Sequence, residues 1–300
     1  MTREDFTRRL LVACLVGALA VVSGVSPAAP APPTSRWVYV TVVDEDGLPV
    51  GGLTPADFEV KEGGKIGEVV SVEPAGEKIR LALMVEEGLT PYLEVRLGLV
   101  EFMRRMSPVA QISLIVVTFR NNTVVEFTSN LNRLIQGVNE FPLAKRLQVA
   151  QVPEAVSDMA RVFEKSKPVR PAIVLLAFDV NQEATSEAEA ILTRLAKSGA
   201  HLSAVTNEPS TILSSDITTL RDSTGRSQVI GDGTRQSGGR HITVLALSRM
   251  QTALGQIADD LTSQHLIKYV LPGSARPSDR ISVKLKKPGL TLRAPSRVPK

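Results

Sequence analysis

Two spacings of apolar residues alternate along most of the chain. Short, nearly continuous apolar runs such as Ile79–Val85 and Pro171–Phe178 predict strands that are buried on both faces of a sheet. Between such runs apolar residues recur at helical spacing, as Leu93 and Leu97 do in segment 91–106. Repeated strand–helix units of this length predict a doubly wound α/β fold with a mainly parallel sheet.

The same pattern predicts the other elements of the middle region. We expect a flexible Gly/Ser/Arg-rich loop at 225–239, because Gly residues interrupt it and no strand leads directly into it. The remaining strands are predicted at 112–119, 123–127, 201–206 and 265–271. Helices are predicted at 91–106, 131–141, 153–165, 186–198, 215–221 and 248–262.

Both ends of the expected mature chain carry short segments with strand character. The early ones are 37–43, 58–61 and 68–72, and the late ones are 281–285 and 290–293. Neither group is large enough to bury a core alone, so we expect them to pair in one small β-module. The predicted organisation is therefore early strands over 36–76, an α/β domain over 77–271, and late strands over 272–300 that end in a loose tail from residue 294.

The first 35 residues have the pattern of an export signal followed by a Pro/Ala-rich linker. Three arginines precede an apolar run over 10–25, and small residues follow it. We therefore expect a periplasmic or extracellular protein, and association with the cell envelope stays open. Cleavage, lipidation at Cys14 and retention as an anchor also stay open. Since Cys14 is the only cysteine, a cleaved chain would hold no disulfide and no thiol nucleophile.

Charge and composition narrow the classes of partner and chemistry. The formal net charge is +4, from 35 basic and 31 acidic residues, and aromatic residues make up 4%. This mild excess and the scarcity of stacking side chains do not indicate nucleic-acid binding. The three histidines, at 201, 241 and 265, lack metal-ligand spacing. Because no catalytic constellation is apparent either, we predict that the protein is not an enzyme.

The loop after the first buried strand is the leading candidate for a binding site. Ligands of open α/β sheets bind at the carboxyl ends of the strands, and this strand ends at two carboxylates and a glycine. Thr90 is a suitable N-cap for the helix that follows. We interpret the two carboxylates as solvated loop charges. The predicted binding face comprises Glu86, Glu87, Gly88, Thr90, Asn121 and Asp179.

Three stretches, 40–60, 81–106 and 261–270 with 283–292 after it, resemble proteins that carry a von Willebrand factor A domain. More closely, the chain resembles the exported bacterial "VWFA-related" proteins of the Acidobacterial type. The resemblance covers nearly all of the expected mature chain. It implies a Rossmann-like α/β domain and a role in binding a protein partner.

The resemblance also implies a place for a divalent cation, held in that family by an Asp-x-Ser-x-Ser motif, a Thr from a later loop and a later Asp. Here the three motif positions fall on Val85, Glu87 and Leu89, and the later Asp position falls on Phe178. Val and Leu offer no oxygen to a hard cation. We therefore expect a degenerate site that holds no cofactor. The predicted function is that of an exported, non-enzymatic protein-binding or scaffolding protein. We expect no nucleic-acid partner, and contact with a membrane only through an uncleaved signal. The alternative is Mg²⁺-dependent or other cation-dependent adhesion through Glu87 and Asp179; a hydrolase is the third hypothesis.

Overall fold

The structure is a computed structural model that describes residues 34–88, 92–119, 121–141, 150–178, 188–207, 224–273 and 277–299. The strands of these residues are β1 (Thr34–Val43), β2 (Phe58–Glu62), β3 (Lys65–Pro74), β4 (Ile79–Glu86), β5 (Ala110–Val117), β6 (Asn122–Thr128), β7 (Pro171–Phe178), β8 (His201–Asn207), β9 (His241–Val244), β10 (His265–Leu271), β11 (Ile281–Leu285) and β12 (Thr291–Arg293). Their helices are α1 (Leu93–Met106), α2 (Leu131–Asn139), α3 (Val152–Ser166), α4 (Ala188–Ser198), α5 (Thr224–Ser237) and α6 (Met250–Thr262). Two 3-10 turns, Pro55–Asp57 and Leu247–Arg249, complete these elements.

The first of two sheets has the order β6-β5-β4-β7-β8-β9. Every neighbouring pair in it is parallel except β5 and β6, which form an antiparallel edge. Side chains of β4 alternate between two apolar clusters: Leu83 packs with α1, α2 and α6, and Met84 packs with α3, α4 and α5. Helices therefore cover both faces, which explains the near-continuous apolar strands. The predicted doubly wound α/β fold is confirmed.

The second sheet joins the two ends of the described chain. Its order is β11-β2-β3-β10-β1-β12, and all its pairs are antiparallel. One apolar cluster, which includes Val40, Phe58, Val60 and Tyr269, fills one side of it. The predicted β-module of N-terminal and C-terminal strands is therefore present.

The predicted α/β domain ends at Leu271 and so includes β10, but in the structure β10 belongs to the antiparallel sheet. It occupies a central position in the antiparallel sheet, paired with β1 along Thr34–Val40 and with β3 on its other side. Ile267 and Tyr269 face the core of the β-module, while Leu266 is buried on the opposite side. All residues of β10 except Lys268 are buried or half-buried, so its mainly apolar run is like that of a parallel strand, and spacing alone could not separate the two.

Two further segments differ from their predictions. The stretch expected to be a loop over 225–239 forms helix α5, with Val229 and Ile230 in the core. Gly233 lies inside this helix, where a Cβ atom would come within 2.9 Å of Leu202 Cδ2. Glycine is therefore required at this position by close packing and does not indicate a loop. The expected loose tail is fixed: the Val298 side chain is buried, and its amide donates to the Asp279 carbonyl at 3.0 Å.

The predicted export segment up to residue 33 and the predicted helix 215–221 lie outside the described residues. Among the residues that are described, no helix is both long and apolar enough to span a membrane.

Candidate functional site

The carboxyl ends of β4, β5 and β7 meet at one edge of the parallel sheet, as the binding-site prediction requires. Glu86 is the last residue of β4, and Glu87 and Gly88 form the turn after it. Asn121 is exposed immediately before β6. Thr90 and Asp179 lie outside the described residues, so the structure places four of the six predicted residues at this edge.

Glu86 forms a buried ion pair with Arg226 of α5. Nη2 of the arginine lies 2.6 Å from Oε2 of the carboxylate, and Nη1 lies 3.4 Å from Oε1. The two side chains are 2% (Arg226) and 0% (Glu86) exposed. The Phe178 amide also donates to Glu86 Oε2, at 2.7 Å. The interpretation of Glu86 as a solvated loop charge is therefore wrong.

The reason lies in the alternation of side chains along β4. Glu86 points to the same face of the sheet as Met84, which is the face that α5 covers. Arg226 also donates through Nη2 to the backbone carbonyl of Phe178, at the end of β7. One guanidinium thus ties together the ends of two strands and the first turn of a helix.

Sequence reasoning missed Arg226 because segment 225–239 was predicted to be a loop. A helical signal was nevertheless present: Arg226, Val229, Ile230 and Gly233 recur at i, i+3, i+4 and i+7. All four residues are buried in α5. The glycines, which lower helix propensity, hid this pattern.

The turn after Glu86 is held mainly by its backbone. The Glu87 amide donates to the Val117 carbonyl at 2.9 Å, which extends the contact between β4 and β5 by one residue. Gly88 has a φ of +100°, and a Cβ there would lie 3.1 Å from Cε2 of Phe178. This conformation and this close approach both favour glycine. Glu87 itself is only 8% exposed.

The described residues do not fit the cation site that the family resemblance implies. Val85, at the aspartate position, is fully buried in the core that α1 and α6 cover. The neighbouring carboxylate of Glu86 is already neutralised by a guanidinium. Within the described ranges no group of three or more His, Cys, Asp or Glu side chains is placed to hold a metal ion. Of these two positions, Val85 therefore offers no oxygen to a cation, and the Glu86 carboxylate is already paired.

Apolar side chains are instead exposed at this edge. Phe119 follows β5, Leu245 follows β9, and Tyr92 and Leu93 start α1. Their exposed fractions are 49%, 70%, 44% and 65%, and Leu97, one turn along α1, is 54% exposed. We call these five residues the carboxyl rim. The helical spacing of Leu93 and Leu97 had suggested that they face the core.

In the structure α1 buries a different face. Its core residues are Val95, Leu99, Phe102, Met103 and Met106. This helix is apolar on two sides, so spacing alone could not show which side faces the core. The side with Leu93 and Leu97 is left to solvent.

The histidines have structural surroundings. His201 Nδ1 lies 3.3 Å from the Gln264 amide nitrogen, and its Nε2 lies 3.3 Å from the hydroxyl of fully buried Ser203. Burial lowers the pKa of His201 to about 4, and the nearby positive charge of Arg170 acts in the same direction. The imidazole is therefore neutral at pH 7. Burial also lowers the pKa of His265.

Comparisons with known proteins give a likeness of fold. No protein-family model and no curated protein matches the chain. Among solved structures, BatB from Bacteroides thetaiotaomicron matches with 13% identity and a TM-score of 0.45, over 61% of this chain and 98% of that one. An aerotolerance-related membrane protein from Bacteroides fragilis NCTC 9343 matches with 18% identity and a TM-score of 0.42, over 61% of this chain and 99% of that one.

The vWF domain of the type V pili tip protein Mfa5 from Porphyromonas gingivalis also matches. Its identity is 7% and its TM-score 0.45, over 62% of this chain and 96% of that one. Identities this low say nothing about chemistry or partners. In its architecture the α/β part of the chain, with its parallel sheet, antiparallel edge strand and two helical layers, is similar to a von Willebrand factor A domain.

Proposed function

We propose that the protein is an exported, non-enzymatic binding protein that holds a protein partner at the carboxyl rim without a metal ion. The observation that carries the proposal is the exposure of five large apolar side chains at the ligand-binding edge of an α/β sheet. Large apolar side chains that are exposed at such an edge offer apolar surface to a partner. Tyr92 and Phe119 are also residue types that are enriched at interfaces.

The hydrogen bonds of Glu86 at the same edge support a structural role for its carboxylate. Glu86 already accepts hydrogen bonds from Arg226 and from the Phe178 amide. Directing this carboxylate to a cation would take the counter-charge away from the buried guanidinium of Arg226, which is costly in a low-dielectric interior. The ion pair therefore favours recognition through shape and apolar contact.

Export rests on the sequence of the first 35 residues, with its basic start, apolar run and small-residue linker. Two of the similar structures are, by their names, a membrane protein and a pili tip protein, which agrees with a place in the cell envelope. We therefore place the binding activity outside the cytoplasm.

The test is affinity capture from an envelope extract of the source cells, with the purified chain as bait and a chelator present throughout. Wild-type bait should retain a specific partner, and Leu93→Glu or Phe119→Glu should release it. Leu48→Glu is the matched control, because Leu48 is 60% exposed but lies in the β1–β2 connection, away from the rim. Capture that survives both rim substitutions, or that needs an added cation, would overturn the proposal.

A further inference from the structure

A cleft of about 900 Å³ lies at the opposite end of the parallel sheet from the carboxyl rim. It is formed where the connections into β7 and β8, at 167–171 and 198–201, meet β1 and the last residues of the described chain. Its volume falls in the range of about 300–1,000 Å³ that is typical of small-molecule sites. Neither the fold resemblance nor the proposed function uses this cleft.

The walls of the cleft are mainly apolar. Leu192 and Leu195 of α4 line it from one side, and Val298 of the C-terminal segment lines it from another. Two of the large apolar side chains that line it are exposed, Trp37 at 57% and Val169 at 61%. Trp37 is the only tryptophan of the chain. A large apolar ring and an isopropyl group exposed beside a cavity would be covered by an apolar ligand.

A buried arginine adds positive charge to this cleft. Arg170 is 5% exposed, and its donors all bond neutral oxygens: the carbonyls of Ala75, Glu77 and Leu261 and the side-chain amide oxygen of Gln264. Among the described residues it makes no ion pair within 4 Å; burial lowers its pKa, and the charge of Glu77 acts in the opposite direction. Arg170 thus supplies positive potential but no free N–H, since all five are used.

Free cations stand at the surface of the same cleft. Lys167, at the end of α3, and Lys197, at the end of α4, line it, are exposed and form no ion pair with any described residue. The lining also includes Arg170, the carboxylates of Glu164 and Asp279, and Arg297, which pairs with Glu189 at 3.1 Å. An apolar cavity with a positive surround is complementary to a molecule that joins an apolar chain to an acidic end.

We propose that this cleft binds a single-chain anionic amphiphile, such as an alkyl carboxylate. Its chain lies along the exposed side chains of Trp37 and Val169, and its charged end lies at Lys167 and Lys197. The inference is independent of the partner at the carboxyl rim, because the cleft is at the other edge of the sheet.

The experiment uses the purified chain, with dodecanoate as the probe, below its micelle concentration. Trp37 is the reporter: its emission should shift to the blue as an alkyl chain replaces water beside the ring, and calorimetry should give the same Kd. Across octanoate, decanoate and dodecanoate, affinity should rise about fourfold for each added methylene that enters the cleft. Dodecylamine should bind at least tenfold more weakly than dodecanoate.

Exposed positions supply variants that leave the core untouched. Val169→Asp should weaken dodecanoate at least tenfold, whereas Val162→Asp, at a position 47% exposed on α3 that does not line the cleft, should bind like wild type. Lys167→Gln should weaken dodecanoate but leave dodecanol unchanged. Lys165→Gln, two residues away and outside the lining, is its control.

Four results would overturn the assignment. They are no saturable binding of dodecanoate, equal loss in Val169→Asp and Val162→Asp, dodecylamine binding as tightly as dodecanoate, and binding only to vesicles of a two-chain anionic phospholipid. The last would locate the acidic amphiphile in a membrane surface rather than in the cleft.

Discussion

Replacing Arg226 by Met removes the cation from the ion pair that ties β4, β7 and α5 together. Glu86 would then be a buried carboxylate without the guanidinium that now lies 2.6 Å from it. Breaking a buried pair from one side costs about 3–5 kcal/mol of unfolding free energy, because the remaining charge is desolvated. At about 2–4 °C per kcal/mol for chains near this size, the Tm should fall by about 10 °C.

The same helix contains a matched control. Arg235 pairs with Asp232 at 2.6 Å, the same nitrogen–oxygen distance as in the buried pair, but the two side chains are 76% and 32% exposed. Solvent screens such a pair, so Arg235→Met should cost less than about 1 kcal/mol. The two variants therefore change the same residue type in one helix and differ chiefly in burial.

A second substitution separates two causes of the lost stability: the buried charge of Glu86 and the lost packing of the Arg226 side chain. Glu86→Gln on the Arg226→Met background removes the charge and keeps an amide oxygen for the Phe178 N–H. We expect this double variant to recover at least half of the lost stability, as measured by urea unfolding at pH 7. Equal losses in Arg226→Met and Arg235→Met, or no recovery in the double variant, would refute the reasoning that burial makes this pair costly to break.

Two other predictions concern the backbone at Gly88 and the pKa of His201. Gly88→Ala should lower the free energy of unfolding by about 1–3 kcal/mol in chemical denaturation, because φ is +100° and Phe178 is close. Gly76→Ala, which has open space around it, should cost less. Equal costs would contradict the strain argument. Since the pKa of His201 is about 4 when folded and 6.5 ordinarily, the unfolded chain takes up its proton first as the pH falls. Stability should therefore decline from about pH 6.5 to pH 4, and His201→Asn should flatten part of that decline in a series of thermal melts; an unchanged decline would refute this role for His201.

The parts of the fold that sequence predicted well are those where one physical signal dominates. Strands such as β4 and β7 are buried on both faces, so nearly every position along them is apolar and the strand stands out from its surroundings. The doubly wound arrangement then follows from the right-handed connections between parallel strands. Strand β10 carried the same signal for a different reason, burial in the middle of an antiparallel sheet.

The candidate site was harder to predict because its defining contact joins residues 140 positions apart. Nothing local to Glu86 indicates that a guanidinium from α5 reaches it. Leu93 and Leu97 had the spacing of a core face, but α1 has a second apolar side that packs more completely. Pairing and orientation of this kind are settled by tertiary contacts, which a spacing rule does not include.

The central claim, recognition at the carboxyl rim without a metal ion, is tested most directly by melting the purified chain after chelator treatment, with and without millimolar magnesium, manganese or calcium. A cation held in one site at a hundred times its Kd would add about 2.7 kcal/mol, a shift of several degrees. Our account predicts the same Tm in every condition. A shift of several degrees that disappears in Glu87→Ala or Asp179→Ala would contradict it and show a working cation site at this edge.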